Sequence, residues 1–447
     1  MPCFLSQDLK IDYLNSMLRE FTIANYRSFG KKMTLTLTAS KGIKDRPGSN
    51  ITAINKNTSV LNSIAFYGAN SSGKSNFIMA AGTMRMMVVQ SVKLNEGDDL
   101  PYDPFILSTR EGLPTKFEAV FHTNRKTYRY GFEYNREKIV REWLLLKSSG
   151  KSEKTLFQRE ADQQPVIETG FDAQAKTIGT DTKLNANRLL LSLSGQLGGD
   201  ISNSIIGWFD KNLRFISGID NSYAQYTRRR VYANESLKGL VQTFLGKMKL
   251  GFDSFDTKKI DFESMGFPQG LPQEIIAELK KDPYIQISSL HNVYDEEGHT
   301  VRTIKLDLDG QESAGTNKVF NLSGPILDAL ERGVTLFVDE LDSQMHPLLT
   351  WKIIEIFNST TENPHGAQLV FTTHDTHLLS NKLFRRDQIW FAEKDSMECS
   401  TIYPIMKAVS AQQQLKHAPR YDSNYEKNYI NGLYGAIPFM INDAPCE

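Results

Sequence analysis

The sequence Gly68-Ala69-Asn70-Ser71-Ser72-Gly73-Lys74-Ser75 stands between a short apolar run and a segment with helical spacing. It fits the pattern G-x-x-x-x-G-K-[ST], in which glycines let successive backbone N–H groups surround a phosphate. Residues 64–67 are apolar enough for a buried parallel strand, and apolar side chains recur at helical spacing through residues 76–90. Strand, glycine loop and helix therefore follow in the order that a phosphate-binding loop requires. A Gly/Ser turn that happens to end in Lys-Ser is the simpler alternative.

The residue types of this loop predict its chemistry. The start of the following helix adds a partial positive charge. Lys74 is expected to reach the β- and γ-phosphates of ATP, and the Ser75 hydroxyl to coordinate Mg²⁺. We predict that the nucleotide contacts the loop and the residue after it: Gly68, Ala69, Asn70, Ser71, Ser72, Gly73, Lys74, Ser75 and Asn76.

Two later apolar runs end in polar residues that suit nucleotide chemistry. Residues 335–338 are apolar and are followed by Asp339 and Glu340. At the carboxyl end of a central parallel strand, Asp339 is expected to hold Mg²⁺ and Glu340 to orient or deprotonate the attacking water. Residues 368–373 form a second strand pattern that ends at His374, which can hydrogen-bond a γ-phosphate. Either pattern alone also occurs without nucleotide, so their order after the glycine loop carries the prediction.

A run of small residues precedes the first of these strands. Ser313, Gly315 and Thr316 stand at the start of a helix-like segment, residues 317–331, which leads directly into the Asp339 strand. Such residues commonly cap a helix. The same N–H groups and hydroxyl also form an anion site. Because the glycine loop already serves the chain's own nucleotide, we predict that they contact the γ-phosphate bound by a second subunit.

Composition and charge narrow the class of protein. The chain has 447 residues, enough for two or three domains, and its 52 basic residues equal its 52 acidic ones. No overall charge therefore attracts it to nucleic acid or to an anionic membrane. Its three cysteines, Cys3, Cys399 and Cys446, lack metal-ligand spacing and suit a reducing compartment. No apolar run approaches the ~20 residues of a membrane span and no signal pattern is present, so a cytoplasmic protein is expected.

The residues before the glycine loop predict a small sheet. Residues 18–23 and 33–38 alternate and indicate a hairpin. Its turn carries Tyr26, Arg27 and Phe29, which suit stacking on an adenine or, more simply, a place in the core. The patterning begins so soon after Met17 that translation from this methionine is one possibility.

The middle of the chain predicts antiparallel sheet and helix. Residues 115–148 alternate and indicate a meander, whose aromatic and basic residues suit a nucleic-acid surface or, more simply, a half-buried sheet. Residues 181–280 turn mostly helical and contain Arg228-Arg229-Arg230, which indicates a solvated helix end rather than a phosphate site. Strand patterns return at 284–287 and 301–308.

Taken together, these motifs resemble the ATP-binding-cassette (ABC) ATPases, and among them the structural-maintenance, Rad-fifty-like and overcoming-lysogenization-defect ATPases. Residues 68–76 resemble their Walker A motif, Asp339 and Glu340 their Walker B motif, and His374 their switch histidine. Residues 341–342 resemble the start of the D-loop.

Other segments depart from this pattern or match a narrower group. Residues 312–316 resemble a degenerate signature motif that lacks Leu-Ser-Gly-Gly. No glutamine stands clearly at the Q-loop position, because Gln90 is expected inside the first helix. Residues 312–316, 425–429 and 434–439 resemble, more narrowly, the AAA-fifteen or RloA-type ATPases of bacterial anti-phage systems.

The resemblance implies an α/β fold, an ABC-type P-loop ATPase head with an antiparallel β subdomain and a large mixed β and helical insertion. The segments it implies are a disordered or non-native extension at 1–17, an N-terminal ATPase lobe at 18–114, the insertion at 115–311, a C-terminal ATPase lobe at 312–405 and a tail at 406–447 with possible partner contacts.

The implied function is hydrolysis of ATP with Mg²⁺ by a homodimer or higher homo-oligomer that assembles around the nucleotide. The implied partner is a separately encoded effector, RloB-like or another nuclease, controlled during anti-phage defence or abortive infection, with DNA or a phage protein as trigger and no membrane partner. The alternatives are a DNA-repair ATPase of the RecF or Rad-fifty kind that clamps duplex DNA, and a nucleotide-binding scaffold without turnover.

Overall fold

The computed structural model describes residues 16–108, 112–147, 152–217, 223–252, 254–260, 284–408 and 419–437. The strands are β1 (Met17–Ala24), β2 (Met33–Thr36), β3 (Ile51–Asn55), β4 (Thr58–Leu61), β5 (Ser63–Tyr67), β6 (Thr115–Thr123), β7 (Lys126–Tyr134), β8 (Ile139–Lys147), β9 (Glu153–Glu160), β10 (Val166–Ile167), β11 (Leu213–Ser217), β12 (Ser254–Ile260), β13 (Tyr284–Tyr294), β14 (Thr300–Asp307), β15 (Thr335–Asp339), β16 (Gln368–Thr372), β17 (Ile389–Lys394) and β18 (Ser400–Pro404). The α-helices are α1 (Lys74–Gln90), α2 (Leu190–Gln196), α3 (Asp200–Asn212), α4 (Ala224–Ala233), α5 (Glu235–Met248), α6 (Ala314–Arg332), α7 (Pro347–Asn358) and α8 (Tyr425–Ile430). Short 3₁₀ helices span Ser91–Lys93, Ala173–Thr177, Thr376–Leu378, Arg386–Gln388 and Ile405–Lys407. Among the described residues, none of these helices is both long and apolar enough to cross a membrane.

The chain divides into two compact units. The first comprises Met1–Ile216, Leu330–Leu341 and Ile354–Glu447, and the second comprises Ser217–Ala329 and Asp342–Ile353. Most of the predicted extension at 1–17 lies outside the described residues. Met17, however, begins β1 and is only 1% exposed, so this residue belongs to the folded first unit.

A seven-stranded antiparallel sheet in the first unit has the order β10-β9-β8-β7-β6-β1-β2. The predicted hairpin is confirmed, because Phe21 of β1 lies opposite Leu35 of β2. The predicted meander is also confirmed, since β6 pairs with β7 and β7 with β8. Phe21 also lies opposite Ala119 of β6, so the predicted boundary between 114 and 115 falls inside one continuous sheet. Alternation in the sequence identifies a strand but not its partner, which is why the sequence did not show this pairing.

The aromatic and basic side chains of the meander are buried or paired with other residues of the same sheet. The aromatic side chains of β7 are buried: Tyr128, Tyr130, Phe132 and Tyr134. Arg129 pairs with Glu118 at 2.9 Å and Glu153 at 3.1 Å, while the Lys116 ammonium lies 4.5 Å from the Trp143 ring. Groups engaged in this way do not form a free stacking platform for bases. The simpler interpretation as a structural sheet holds, but β6 and β7 are buried along most of their length and only β8 has the half-buried pattern that was predicted.

The second sheet of the first unit positions the glycine loop. Its order is β11-β15-β16-β5-β17-β18. The strands β15, β16, β5 and β17 run parallel to one another, whereas β18 pairs antiparallel with β17. Every residue of β5 and β16 is buried, as expected of parallel strands covered on both faces. Helix α1 covers one face, where Phe77 packs 5.3 Å from the Phe66 ring. The carboxyl ends of β15, β16 and β5 therefore meet at one edge of this sheet.

The second unit contains a three-stranded antiparallel sheet, β12-β13-β14, and the helices α4 and α5. The strands predicted at 284–287 and 301–308 are confirmed by β13 and β14, which pair antiparallel. The prediction of a solvated helix end is wrong for Arg228, which is 2% exposed and pairs through both terminal nitrogens with Asp309 at 2.6 Å. Helical periodicity could not reveal this, because the neutralising carboxylate comes from beyond β14.

Candidate active site

The glycine loop joins the end of β5 to the start of α1, and its two glycines are required by the backbone. Gly68 has a φ of +152° and Gly73 a φ of +106°, within the range that L-residues rarely adopt. A Cβ atom at Gly68 would collide with the Ala392 carbonyl oxygen of β17. At Gly73 it would collide with the side chains of Ser400 and Ser28. The loop conformation therefore depends on both glycines.

The Lys74 side chain is held inside the loop. Lys74 is 6% exposed, and its Nζ donates to the carbonyl oxygens of Gly68 at 2.8 Å and Ala69 at 2.9 Å. A buried ammonium has to be compensated, and here the loop carbonyls contribute to this. The cation is consequently positioned beside the same backbone that would surround a phosphate.

The following residues fasten the loop to the hairpin turn of residues 25–30. Asn76 Nδ2 donates to Ser28 Oγ at 2.9 Å, and the Ser28 carbonyl accepts from the Ser400 N–H at 2.7 Å. Asn76, predicted to contact nucleotide, thus has its amide engaged with the turn, whereas Ser75 beside it is half-buried.

The aromatic residues of that turn lie in the core. Tyr26 and Phe29 are 3% and 0% exposed, and the Tyr26 ring lies 5.3 Å from the Phe117 ring. The simpler interpretation is therefore confirmed for both rings. Arg27 is instead half-buried and forms an ion pair with Asp103 at 2.7 Å.

Asp339 and Glu340 are tied together by a residue of the next strand. The Thr372 hydroxyl donates to Asp339 Oδ1 at 2.6 Å and accepts the Glu340 N–H at 2.7 Å. Thr372 is fully buried, whereas both acidic residues are half-buried. Glu340 has a φ of +52°, a left-handed conformation that ends the strand and turns the chain. The sequence did not single out Thr372, because its function depends on the pairing of β15 with β16.

One cavity of about 520 Å³ brings the glycine loop and the predicted histidine together. It is lined by Tyr67, Gly68, Ala69, Asn70, Thr373, His374, Thr376 and Tyr429. His374 is exposed at its rim, two residues beyond the end of β16. Tyr429, a residue of α8, was not predicted here, and the only signal for it in the sequence was the narrow resemblance of residues 425–429.

The small residues predicted to act across subunits belong to the second unit. The Thr316 N–H donates to Ser313 Oγ at 3.0 Å, so Ser313 caps the first turn of α6. Gly315 packs so closely on the Gln344 carbonyl that an added Cβ would lie 2.9 Å from its oxygen. The cap expected of an ordinary helix start is therefore present, while the side chain of Ser313 stays exposed.

A family comparison covers the glycine loop, the acidic pair and His374. Residues 63–380 match the family described as "AAA domain, putative AbiEii toxin, Type IV TA system". The matched region runs from β5 through the glycine loop, Asp339 and Glu340 to His374, and it comprises well over half of the chain. The chain belongs to this family. This AAA-domain protein is accordingly a P-loop ATPase, and the predicted α/β fold class is confirmed by the largely parallel sheet that carries the glycine loop. No curated protein sequence matches it.

Several solved structures resemble the AAA-domain chain over most of their length. The SMC head domain from Thermotoga maritima is 13% identical with a TM-score of 0.40, over 87% of this chain and 98% of that chain. The SMC head bound to the C-terminal winged-helix domain of ScpA is 10% identical with a TM-score of 0.46, over 87% and 97%. The recombination mediator protein RecF-ATPrS is 12% identical with a TM-score of 0.37, over 88% and 99%.

The residues of the AAA-domain site fit ATP with Mg²⁺. Ser72 Oγ is buried in the loop and has no hydrogen-bond partner among the described residues, an expensive state that a ligand's acceptor oxygen would relieve. The hydroxyl of Ser75 and the carboxylate of Asp339 are oxygen donors of the kind that Mg²⁺ prefers. The donor set at this edge of the sheet thus suits a hard cation beside a phosphate chain.

Proposed function

We propose that the chain binds ATP at the edge of the central sheet and hydrolyses the bond to its γ-phosphate. The observation that carries the proposal is the cavity that joins residues 68–70 to His374. His374 follows β16, and β16 is the strand whose Thr372 holds Asp339 and Glu340. Loop, histidine and acidic pair therefore converge at one edge of the sheet, as catalysis by positioned groups requires.

Each residue has a role that follows from its chemistry. The backbone N–H groups of residues 68–75 bind the phosphates, and Lys74 neutralises charge on the β- and γ-phosphates. Ser75 and Asp339 hold Mg²⁺, which when bound stabilises negative charge that develops on the phosphate oxygens. Glu340 orients or deprotonates the attacking water, and His374 hydrogen-bonds the γ-phosphate.

We also propose that two chains complete each other's sites. Ser313, Gly315 and Thr316 form the start of a helix whose remaining N–H groups and partial positive charge suit an anion. The exposure of Ser313 leaves this end accessible to a second copy. A two-fold arrangement would place the helix start of one chain against the γ-phosphate of the other, so assembly would depend on ATP.

The biological role that we propose is control of a separate effector, RloB-like or another nuclease, in anti-phage defence. The supporting observations are the family's description as a putative toxin of a type IV toxin–antitoxin system and the resemblance of residues 312–316, 425–429 and 434–439 to AAA-fifteen or RloA-type ATPases. Phage plating on cells that express this chain with the product of its neighbouring gene tests the role. Protection lost with Lys74→Ala supports it, and protection that does not need the ATPase argues against it.

The biochemical proposal is tested with two substitutions and their matched controls. Lys74→Ala should abolish binding of a fluorescent ATP analogue, whereas Lys126→Ala, at an exposed lysine of β7, should not. Glu340→Gln should retain binding and lose most phosphate release, because the amide keeps the shape but not the basic oxygen. Glu398→Gln is its control, since Glu398 is also left-handed and its side chain is 67% exposed. If the turnover of Glu340→Gln stayed within a few-fold of wild type, another residue would have to orient or deprotonate the attacking water.

A further inference from the structure

The segment of residues 419–437 is built into the core beneath the nucleotide site. The Tyr429 ring stacks on Phe391 of β17 at 5.3 Å and lies 6.1 Å from Tyr67, the residue immediately before Gly68. Tyr425 of the same helix is 1% exposed. Aromatic packing of this kind fixes the position of a short helix that could not be stable alone. Helix α8 is therefore a rigid part of the first unit.

The face of α8 that carries Tyr429 also carries Glu426, one helical turn earlier. Tyr429 contributes to the wall of the cavity that contains the glycine loop and His374. Glu426 Oε1 accepts a hydrogen bond from Thr376 Oγ1 at 3.1 Å and lies 3.0 Å from His377 Nδ1. One face of α8 thus contacts the wall of the site and the loop that follows His374.

The loop of residues 373–377 is short, and its internal hydrogen bonds restrain its backbone. The Asp375 N–H donates to Thr373 Oγ1 at 3.0 Å, and the His377 N–H donates to Asp375 Oδ1 at 3.0 Å. His374 stands between these residues, and its own side chain is exposed at the cavity. An anchor on Thr376 and His377 therefore restricts where the His374 backbone can lie.

We propose that Glu426 is a positioning residue for His374, acting through its hydrogen bond to Thr376, so that the C-terminal segment sets the geometry of the γ-phosphate contact. The inference rests on the proposed role of His374 in hydrolysis. A catalytic group displaced by about 1 Å lowers the reaction rate about a hundredfold. Loosening the loop that carries His374 should lower the rate by a smaller factor. The exposed pair with His377 adds little, because water screens it.

A double-mutant cycle on the full chain tests the proposal, with phosphate release as the assay. Glu426→Ala should lower kcat about tenfold while the affinity for a fluorescent ATP analogue and the melting temperature change little. In a His374→Ala background the same substitution should have no further effect, because the group it positions is gone. Glu426→Gln should keep at least half of the activity, since its carbonyl oxygen still accepts from Thr376. Lys427→Ala, at an exposed position of the same helix, is the control and should behave as wild type.

The outcomes separate this inference from the proposed function. An equal fold-loss from Glu426→Ala in both backgrounds, or a glutamine variant as impaired as the alanine one, would overturn the positioning role alone. A His374→Ala variant with wild-type turnover would overturn the proposed role of the histidine and this inference with it. If Glu426→Ala does not fold, Thr376→Val removes the same hydrogen bond from the other side, and its cycle with His374→Ala must show the same lack of additivity.

Discussion

Replacing Thr372 by valine would remove one hydroxyl from beneath the acidic pair and leave the shape of the side chain almost unchanged. The hydroxyl donates to Asp339 Oδ1 at 2.6 Å and accepts the Glu340 N–H at 2.7 Å. Thr372 is fully buried, so no water can take its place without opening the strand pair. The substitution therefore releases the Asp339 carboxylate and the Glu340 backbone N–H from their common anchor.

The expected magnitude follows from these two contacts. A hydrogen bond to a charged group is worth about 1.5–3 kcal/mol, and a buried N–H left without a partner costs about 1–3 kcal/mol. Because the Asp339 side chain is half-buried, water recovers part of the first of these terms. We expect a net loss of about 2 kcal/mol in the free energy of unfolding. Turnover should fall about tenfold to a hundredfold, because the groups that hold Mg²⁺ and water are no longer fixed.

The assay compares urea unfolding and phosphate release with those of a matched substitution. Thr350→Val is the control: Thr350 is also fully buried, but its hydroxyl has no hydrogen-bond partner among the described residues. Its loss should be neutral or slightly stabilising. Thr372→Val should lower the urea midpoint at an unchanged slope and lower kcat with nucleotide affinity retained. If Thr372→Val behaved like Thr350→Val in both assays, the threonine would not be the anchor of the acidic pair.

Two other predictions concern subunits and pH. Mixing Lys74→Ala chains with Ser313→Arg chains should restore about a quarter of wild-type ATPase activity. Random pairing makes half of the dimers mixed, and each mixed dimer has one of its two composite sites intact. A mixture as inactive as its components, with heterodimers demonstrated, would exclude the shared site. Burial, aided by the positive charge of Arg19, lowers the pKa of His122 to about 4, whereas an unfolded histidine titrates near 6.5. Between about pH 6.5 and 4 the unfolded chain then binds more protons than the folded one, so the free energy of unfolding falls as the pH drops through this window. His122→Gln should reduce this fall by about 2 kcal/mol, measured by urea titrations at pH 7 and pH 4.5. An unchanged pH dependence in the variant would contradict the prediction.

The features that the sequence predicted well are those whose decisive residues are neighbours in the chain. Residues 64–90 carry strand, glycine loop and helix in one stretch, and the structure has them in that order. Alternation and turn residues likewise located the hairpin formed by β1 and β2 and the meander. Local backbone preference and the pattern of burial are sufficient for such elements.

The features that the sequence did not reveal depend on contacts between distant residues. Thr372 resembles any other strand threonine until β16 pairs with β15. Arg228 has the pattern of a solvated helix end until Asp309 neutralises it. Glu426 and Tyr429 reach the site only because α8 packs on β17. The residue type at one position does not predict which distant residue will contact it in the folded chain.

The strand order of the central sheet has a consequence for folding during synthesis. β5 lies between β16 and β17, and Gln368 Nε2 donates to the Leu61 carbonyl across 307 positions of sequence. At about 5–20 residues per second, roughly 15–60 s pass between synthesis of β5 and of its first neighbour. During that interval an apolar strand, all of whose side chains are buried in the finished fold, has both edges unpaired. Chains truncated before residue 368 should therefore aggregate, and the nascent protein needs this strand to be protected until β16 and β17 have been made.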